Sequence, residues 1–334
     1  MKVAVFSTKT YDKQFLTDAN KSSRHELVFF EERLTDKTAP LSTGFQAVCV
    51  FVNDQLNESV LKMLAANGVG LIALRCAGFN NVDLRAAENL GLVVVHVPAY
   101  SPYAVAEHTV GLIMALNRKI HKAYDRVRDG NLSLDGLLGF ELHDKTVGII
   151  GTGKIGQVVS KILYGFGCKV LAYDLEPNPS CVAIGVKYVS LEELFISSDI
   201  ITLHCPLIPK TYHMINVEAI NQMKTGLMLI NTSRGGLIDT SAVIDGLKSG
   251  KIRYLGLDVY EEEPGLFFEN LSDTVIQDDI FARLLTFPNV IITGHQAFFT
   301  NRAMANITKT TVSNFTDFQE GKLCTNQIIT KLVI

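Results

Sequence analysis

Residues 145–174, KTVGIIGTGKIGQVVSKILYGFGCKVLAYD, decide how the rest of the chain is read. Val147 to Ile150 is a short apolar run suited to a buried strand, and it meets Gly151-Thr-Gly-Lys-Ile-Gly156. From Gln157 to Tyr164 apolar residues recur at helical spacing, and a second apolar run, Lys169 to Tyr173, ends on Asp174. Strand, glycine turn, helix, strand and terminal acid within about 30 residues is the context that a dinucleotide-binding turn requires. Gly151 permits the tight turn, Gly153 lets backbone approach a pyrophosphate, and Gly156 lets helix and strand pack closely. The free N–H groups at the start of the helix favour an anion there. Asp174 is placed to accept hydrogen bonds from the adenosine ribose hydroxyls. A 2′-phosphate would set like charges together, and Leu175-Glu176-Pro177 supplies no arginine to offset them. The pattern therefore predicts NAD rather than NADP.

Outward from this unit, 334 residues with 47% hydrophobic content suit two cores. A net charge of −3 and a pI near 6.2 give no electrostatic case for nucleic acid or an anionic membrane. Even the longest apolar run, Val110 to Leu116, is too brief to span a bilayer. The N-terminus reads as a first strand rather than a signal peptide. The six cysteines have no CxxC or paired spacing, which suggests buried free thiols in a reducing compartment. A soluble cytoplasmic α/β protein is the class these features predict.

Upstream of the glycine turn, strands are expected at Lys2–Phe6, Leu27–Phe30, Ala47–Val52, Leu71–Leu74 and Val93–Val97. Helices are expected at Tyr11–Ala19 and Val60–Ala66. Strands alternating with helices imply a small doubly wound parallel sheet. After the break at Pro98-Ala-Tyr-Ser-Pro102, Tyr103 to Leu116 reads as an apolar helix that Arg118 to Asp129 continues with a charged, solvated face. Downstream, strands at Ile200–His204, Leu227–Ile230, Leu255–Val259 and Val290–Ile292 complete a six-stranded dinucleotide-binding sheet. The helical tail from Arg302 to Gln319 has no sheet of its own and is expected to return to the first domain. The expected division is residues 1–100 plus 297–334 against 101–296: two doubly wound parallel-sheet domains with a cleft between them.

In doubly wound sheets ligands lie beyond the carboxyl ends of the strands. Three strands end there on residues that could act together: Arg234 after Leu227–Ile230, the Glu261–Glu263 run after Leu255-Gly-Leu-Asp258, and His295 after Val290–Thr293. An arginine, a carboxylate and a histidine are what hydride transfer at a 2-oxo acid needs. A guanidinium pairs bidentately with the substrate carboxylate. A histidine can protonate the carbonyl oxygen, and a carboxylate stabilises that histidine's charged form. Taken singly, the arginine could be a surface ion-pair partner, the histidine a loop residue and the glutamates a solvated run. The residues alone do not choose among the three glutamates. His204 with Cys205 has no further ligand at metal-site spacing, so no metal is expected.

The chain resembles the D-isomer-specific 2-hydroxyacid dehydrogenase family, and within it the NAD-dependent D-lactate dehydrogenases of fermentative bacteria. The resemblance rests on Arg75-Cys-Ala-Gly-Phe-Asn-Asn-Val-Asp83, Val97-Pro-Ala-Tyr100-Ser-Pro, Ala106-Glu-His-Thr109, the glycine turn, His204-Cys-Pro-Leu207, Asn231-Thr-Ser-Arg-Gly235, Leu257-Asp-Val-Tyr-Glu261 and Gly294-His-Gln-Ala-Phe298. It implies a flavodoxin-like substrate domain beside a Rossmann NAD domain, and reversible reduction of pyruvate to D-lactate. It further implies Arg234 as the substrate-binding arginine, Glu263 as the carboxylate paired with histidine, and His295 as proton donor. Gly151, Gly153, Lys154, Ile155, Gly156 and Asp174 fall at cofactor positions. So do Cys205, Pro206, Thr232, Ser233, Arg234 and Asp258, with Asp258 near the carboxamide. Thr211 falls at a cofactor position that relatives often fill with asparagine. Arg75, Ala77, Gly78, Tyr100 and Phe298 resemble the substrate-pocket residues, with Arg234 and His295. Glu107-His108 carries no implied catalytic role. The family implies a homodimer through the long helix after Tyr103, and tetramers occur in the subgroup. Two alternatives stand beside this reading: a dehydrogenase for a larger 2-oxo acid, and an NAD-sensing corepressor-like binding protein.

Overall fold

Strands buried along their whole length read as unbroken apolar runs, because a parallel sheet is covered on both faces. A computed structural model of the protein, describing residues 1–329, shows this arrangement twice. The chain divides into two units, Met1–Ser101 with the segment from Phe299 onward, and Pro102–Phe298.

The first unit runs β1 (Lys2–Val5), α1 (Thr10–Ala19), β2 (Glu26–Phe29), β3 (Ala47–Val50), α2 (Glu58–Ala66), β4 (Leu71–Leu74), α3 (Leu84–Asn89) and β5 (Val93–Val95). All pairings are parallel, in the order β2-β1-β3-β4-β5. That is a flavodoxin-like order, with its switch point between β1 and β3. Alternate strand residues serve opposite faces, as the two-residue period demands. Ala4, Val48, Val50, Ile72 and Leu74 pack with Val60, Leu61 and Leu64 of α2. Val3, Val5, Cys49, Leu71 and Ala73 pack with Leu16 of α1 and with Val312 and Phe315 of the C-terminal helix. The Asn57 side chain caps α2 by accepting the Val60 N–H at 3.0 Å.

The second unit opens with α4 (Pro102–Arg118) and α5 (Ile120–Arg128). Here the expected continuous helix is broken. Lys119 stands at φ +50°, and its ammonium reaches the carbonyls of Gly136 (2.6 Å) and Leu138 (3.2 Å). The Asn117 amide meanwhile ties the helix end to the Phe140 backbone in both directions at 2.7 Å. These contacts tether the 136–140 segment and end the helix, a long-range cause that charge pattern does not reveal.

Next come β6 (Thr146–Ile150), α6 (Lys154–Gly165), β7 (Lys169–Tyr173), α7 (Pro179–Ala183), β8 (Lys187–Tyr188), α8 (Leu191–Ser197), β9 (Ile200–Leu203) and α9 (Val217–Gln222). The unit finishes with β10 (Leu227–Asn231), α10 (Thr240–Ser249), β11 (Ile252–Leu257), α11 (Asp279–Leu285) and β12 (Val290–Ile292). Its sheet has seven parallel strands, β12-β11-β10-β9-β6-β7-β8, rather than the six expected. The extra strand is the two-residue β8, paired to Leu171 and Ala172 of β7 and too short to leave a periodic signal. Apart from β12 at the far edge, the order is the Rossmann 3-2-1-4-5-6, whose switch point lies between β6 and β9. Ile150, Ile201, Leu203, Leu227 and Leu229 line one core, and Val147, Ile149, Ile200, Met228 and Ile230 the other. The final helix, α12 (Asn301–Gln319), packs on α1 and β4 of the first unit. All six cysteines are free and buried. Among the described residues no helix is long and apolar enough to cross a membrane.

Candidate active site

At the switch point of the second sheet β6 delivers the glycine turn to the start of α6. Gly151 has φ +95°, and a Cβ there would lie 2.6 Å from the Cys205 backbone nitrogen. A Cβ on Gly156 would lie 1.9 Å from the Gly151 carbonyl oxygen, so helix and strand meet backbone to backbone. Gly153 is the N-cap of α6 and offers no side-chain cap; a Cβ there would have no atom within 4 Å. The first N–H groups of a 12-residue helix thus start at a glycine with open space beside it, which fits a dinucleotide pyrophosphate. Lys154 is exposed and Ile155 half-buried in that first turn.

Asp174, after β7, is held from several sides. Its Oδ2 accepts the Thr152 N–H (2.6 Å) and hydroxyl (2.9 Å), and its Oδ1 accepts the Leu175 N–H (2.7 Å). Tyr188 donates to the Thr152 hydroxyl at 2.8 Å, and Asn178 to the Thr152 carbonyl at 2.8 Å. Thr152, a variable position in the glycine pattern, is therefore the anchor of the terminal acid. Sequence reasoning had no signal for Tyr188, which arrives on the unforeseen β8.

The carboxyl ends of β10, β11 and β12, neighbours in the sheet, deliver the other polar groups to one edge. His295 Nδ1 lies 2.9 Å from Glu263 Oε2, and Glu263 Oε1 accepts the Tyr260 N–H at 3.1 Å. The histidine backbone is left-handed at φ +54°, a conformation that costs energy and is found at sites whose surroundings enforce it. Of the three glutamates, Glu262 is exposed and Glu261 is engaged by His213, so geometry singles out Glu263. Arg234 is half-buried and donates from Nη1 to the Ser233 carbonyl at 2.7 Å; among the described residues no hydrogen bond or ion pair joins it to Glu263 or His295. Its loop is shaped by Asn231, which accepts the Ser233 N–H and donates to the Arg234 carbonyl.

Other expected cofactor positions have internal partners. The Ser233 hydroxyl donates to the Cys205 carbonyl (2.8 Å), Thr232 meets Thr109 (2.8 Å), and Thr211 donates to the Pro206 carbonyl (2.7 Å), closing the loop after β9. Asp258 is fully buried, and its carboxylate accepts from the Thr293 hydroxyl (2.5 Å) and the Gln296 and Ala297 N–H groups (2.9 and 2.8 Å). It braces the loop that carries His295. His108 of α4 stands 3.0 Å from Thr293 and 3.4 Å from Asp258, a bracing role that its helical position did not suggest. Phe298 is buried at the end of this unit. Burial pushes the His204 ring down to about 3, so it stays neutral, 2.9 Å from the Thr202 hydroxyl.

In the first unit Arg75 follows β4 and is 2% exposed. Its Nε lies 3.3 Å from Asp12, its Nη2 donates to the Ser7 carbonyl at 2.7 Å, and the group sits over the Phe51 ring. Burial opposes its charge, but Asp12, Cys49 and Asp54 outweigh that and hold it protonated. The guanidinium expected at the substrate pocket is thus largely enclosed, with Nη1 buried and, among the described residues, without a hydrogen-bond partner. Ala77 and Gly78 are half-buried, with the Ala77 carbonyl meeting His96 Nδ1 at 2.9 Å. Tyr100 is half-buried, and its carbonyl accepts from Asn306 of α12 at 2.7 Å.

Residues 110–297 match the D-isomer specific 2-hydroxyacid dehydrogenase, NAD binding domain. The chain belongs to this family. Along 98% of its length it is 54% identical to all of the D-lactate dehydrogenase of Escherichia coli (strain K12). It is similar to the pyruvate reductase of Chlamydomonas reinhardtii, with a TM-score of 0.92, 50% identity and 98% of each chain covered. It is also similar to D-lactate dehydrogenase from Aquifex aeolicus complexed with NAD and lactic acid, with a TM-score of 0.87, 35% identity and 98% of each chain covered. As in the rest of the family, the second unit is an NAD-binding domain and the protein an NAD-dependent 2-hydroxyacid dehydrogenase.

Proposed function

We propose that this 2-hydroxyacid dehydrogenase reduces pyruvate to D-lactate, reversibly, and that Arg234, Glu263 and His295 carry the reaction. The observation that carries the reading is the 2.9 Å contact between His295 Nδ1 and Glu263 Oε2 at the carboxyl edge of the NAD-binding sheet. NADH, when bound, supplies the hydride. The Arg234 guanidinium pairs with the oxo-acid carboxylate and polarises the neighbouring carbonyl. With Nδ1 held by Glu263, His295 presents Nε2 to the carbonyl oxygen and donates its proton there; in the reverse direction it takes the hydroxyl proton. Glu263 stabilises the imidazolium and fixes the ring's orientation.

Gly151, Gly153, Lys154, Ile155 and Gly156 would hold the pyrophosphate, and Asp174 the adenosine ribose. Cys205, Pro206, Thr211, Thr232, Ser233 and Asp258 line the path towards the nicotinamide, Asp258 by bracing the His295 loop. Ala77, Gly78, Tyr100 and Phe298 are assigned to oxo-acid binding, with Arg75 supporting Ala77 and Gly78 through the strand end it stabilises. We assign the protein to the cytoplasm and to fermentation, and to a homodimer, with a tetramer as the larger alternative. The exposed apolar residues Ile120, Tyr124 and Val127 on α5 and Leu132, Leu134 and Leu138 after it support self-association.

The test is NADH oxidation across a series of 2-oxo acids, with chiral analysis of the product. Pyruvate should turn over fastest and yield D-lactate. A branched or aromatic oxo acid turning over faster would move the protein to a larger-substrate member of the family. NADH binding without turnover of any oxo acid would mark a sensing protein and overturn the reading.

A further inference from the structure

A second histidine–glutamate pair lies in the NAD-binding unit, and the reaction leaves it without a part. We propose that His213 and Glu261 are positioning residues that hold the loop bearing Arg234 in register with the loop bearing Glu263, an inference that rests on the catalytic reading above.

Glu261 stands two residues before Glu263 on the loop after β11. Its Oε1 lies 2.5 Å from His213 Nε2. Its Oε2 accepts the Thr240 N–H at 2.9 Å and also the Thr240 hydroxyl, at the start of α10. A carboxylate there is favoured by the helix's unpaired N–H groups. Isolated surface ion pairs contribute little. This one differs, because both oxygens are engaged and the two side chains are only 30% and 20% exposed.

His213 is fixed as firmly. Its N–H donates to the Gly236 carbonyl at 2.8 Å, its ring stacks on Tyr212 at 3.9 Å and 15°, and its backbone is held at φ +50°. The chain beyond it runs beside the end of the arginine loop: Ile215 N–H donates to the Leu237 carbonyl (3.0 Å), and Asp239 N–H to the Ile215 carbonyl (2.9 Å). One residue thus grips the arginine loop through its main chain, two positions after Arg234, and the glutamate loop through its ring.

The two loops touch at Gly235. A Cβ there would stand 2.0 Å from the Tyr260 carbonyl carbon and 2.4 Å from the Glu261 nitrogen. The Tyr260 N–H is also the group that holds Glu263 Oε1. A shift at Tyr260–Glu261 therefore passes to Glu263 through one hydrogen bond, and from Glu263 to His295 through the next. Freed of the His213–Glu261 clamp, the loops can slide where they meet, and both the guanidinium and the histidine's partner lose their set positions.

The experiment compares Glu261→Gln and His213→Gln with the wild-type enzyme by pyruvate kinetics, NADH binding, thermal melting and the ¹⁵N resonance of the His295 imidazole recorded without substrate. Glu261→Gln keeps an acceptor for Thr240, and His213→Gln leaves that cap untouched, so the second variant decides alone if the first does not fold. In both, kcat should fall about 10- to 100-fold and KM for pyruvate should rise, as misplacement of reacting groups does. NADH affinity should hold, and the His295 resonance should move. A lowered melting point with unchanged kcat, KM and resonance would show a merely structural pair and overturn the proposal. The resonance reads His295 with no substrate present. A wild type inactive on every 2-oxo acid would therefore sink the dehydrogenase reading and leave this inference to be decided by the resonance alone.

Discussion

At the carboxyl edge of the five-stranded sheet, Arg75 and Asp12 are 2% and 8% exposed and spend their charges on each other. Asp54, fully enclosed, accepts the N–H groups of Leu34 and Phe51 and the Ser7 hydroxyl, while burial pushes its carboxyl up. At the matching edge of the seven-stranded sheet, His295 and Glu263 keep 20% and 15% exposure, and among the described residues Arg234 reaches only its own neighbour's carbonyl. Both edges hold an arginine and carboxylates at strand ends. In the first the cluster fastens loops, although Arg75 Nη1 stays buried without a hydrogen-bond partner among the described residues; in the second the paired groups are less enclosed. Residue type at a switch edge does not distinguish the two uses. The difference is burial: a charge shut away must be neutralised within the fold, whereas one at a partly open edge can keep its partnership for a ligand.

The sharpest way to break this contrast is His295→Gln, which should cut kcat by about 10²- to 10⁴-fold with NADH binding and melting behaviour intact. Near-normal turnover would remove His295 from the chemistry. Arg75→Leu tests the other edge. It strands Asp12 and Asp54 and should cost about 3–5 kcal/mol of stability in denaturant unfolding. If stability instead held and only KM for pyruvate rose, Arg75 would be a substrate contact after all. Gly235→Ala would force the Arg234 and Glu263 loops apart, and a shift near 1 Å predicts about a 10²-fold loss in kcat/KM. Kinetics matching wild type would mean that the close approach of these loops has no bearing on turnover. The mildest is Asn57→Ala, which removes the cap of α2. It should cost about 1 kcal/mol in melting experiments and leave kinetics alone.

Much of this was legible in residue order. The glycine turn, its strand, helix and terminal acid are local, and local sterics settle them: Gly151 needs a positive φ, and Gly156 leaves no room for a side chain. Unbroken apolar runs at Ala47–Val50, Leu71–Leu74 and Leu227–Ile230 read as covered strands, and strands they are. Three polar residues following three successive strands pointed to one sheet edge, because parallel strands present their carboxyl ends on the same side.

Where contacts span tens or hundreds of residues, sequence was silent. Glu261 and Glu263 are the same residue type two positions apart; apart from the family resemblance, which pointed to Glu263, only folding tells that His213 and Thr240 meet one and His295 the other. Residue order does not tell that Arg75 meets Asp12, 63 residues away, through Nε while Nη1 is left without a hydrogen-bond partner among the described residues. Nor does it tell that Asp258 accepts the backbone N–H groups of residues 296 and 297. Where backbone conformation follows from neighbours along the chain, as at the glycine turn, it can be read in order; the break at Lys119 could not. The state of a charged side chain follows from what surrounds it in space, and that is decided only when the strands have been laid side by side.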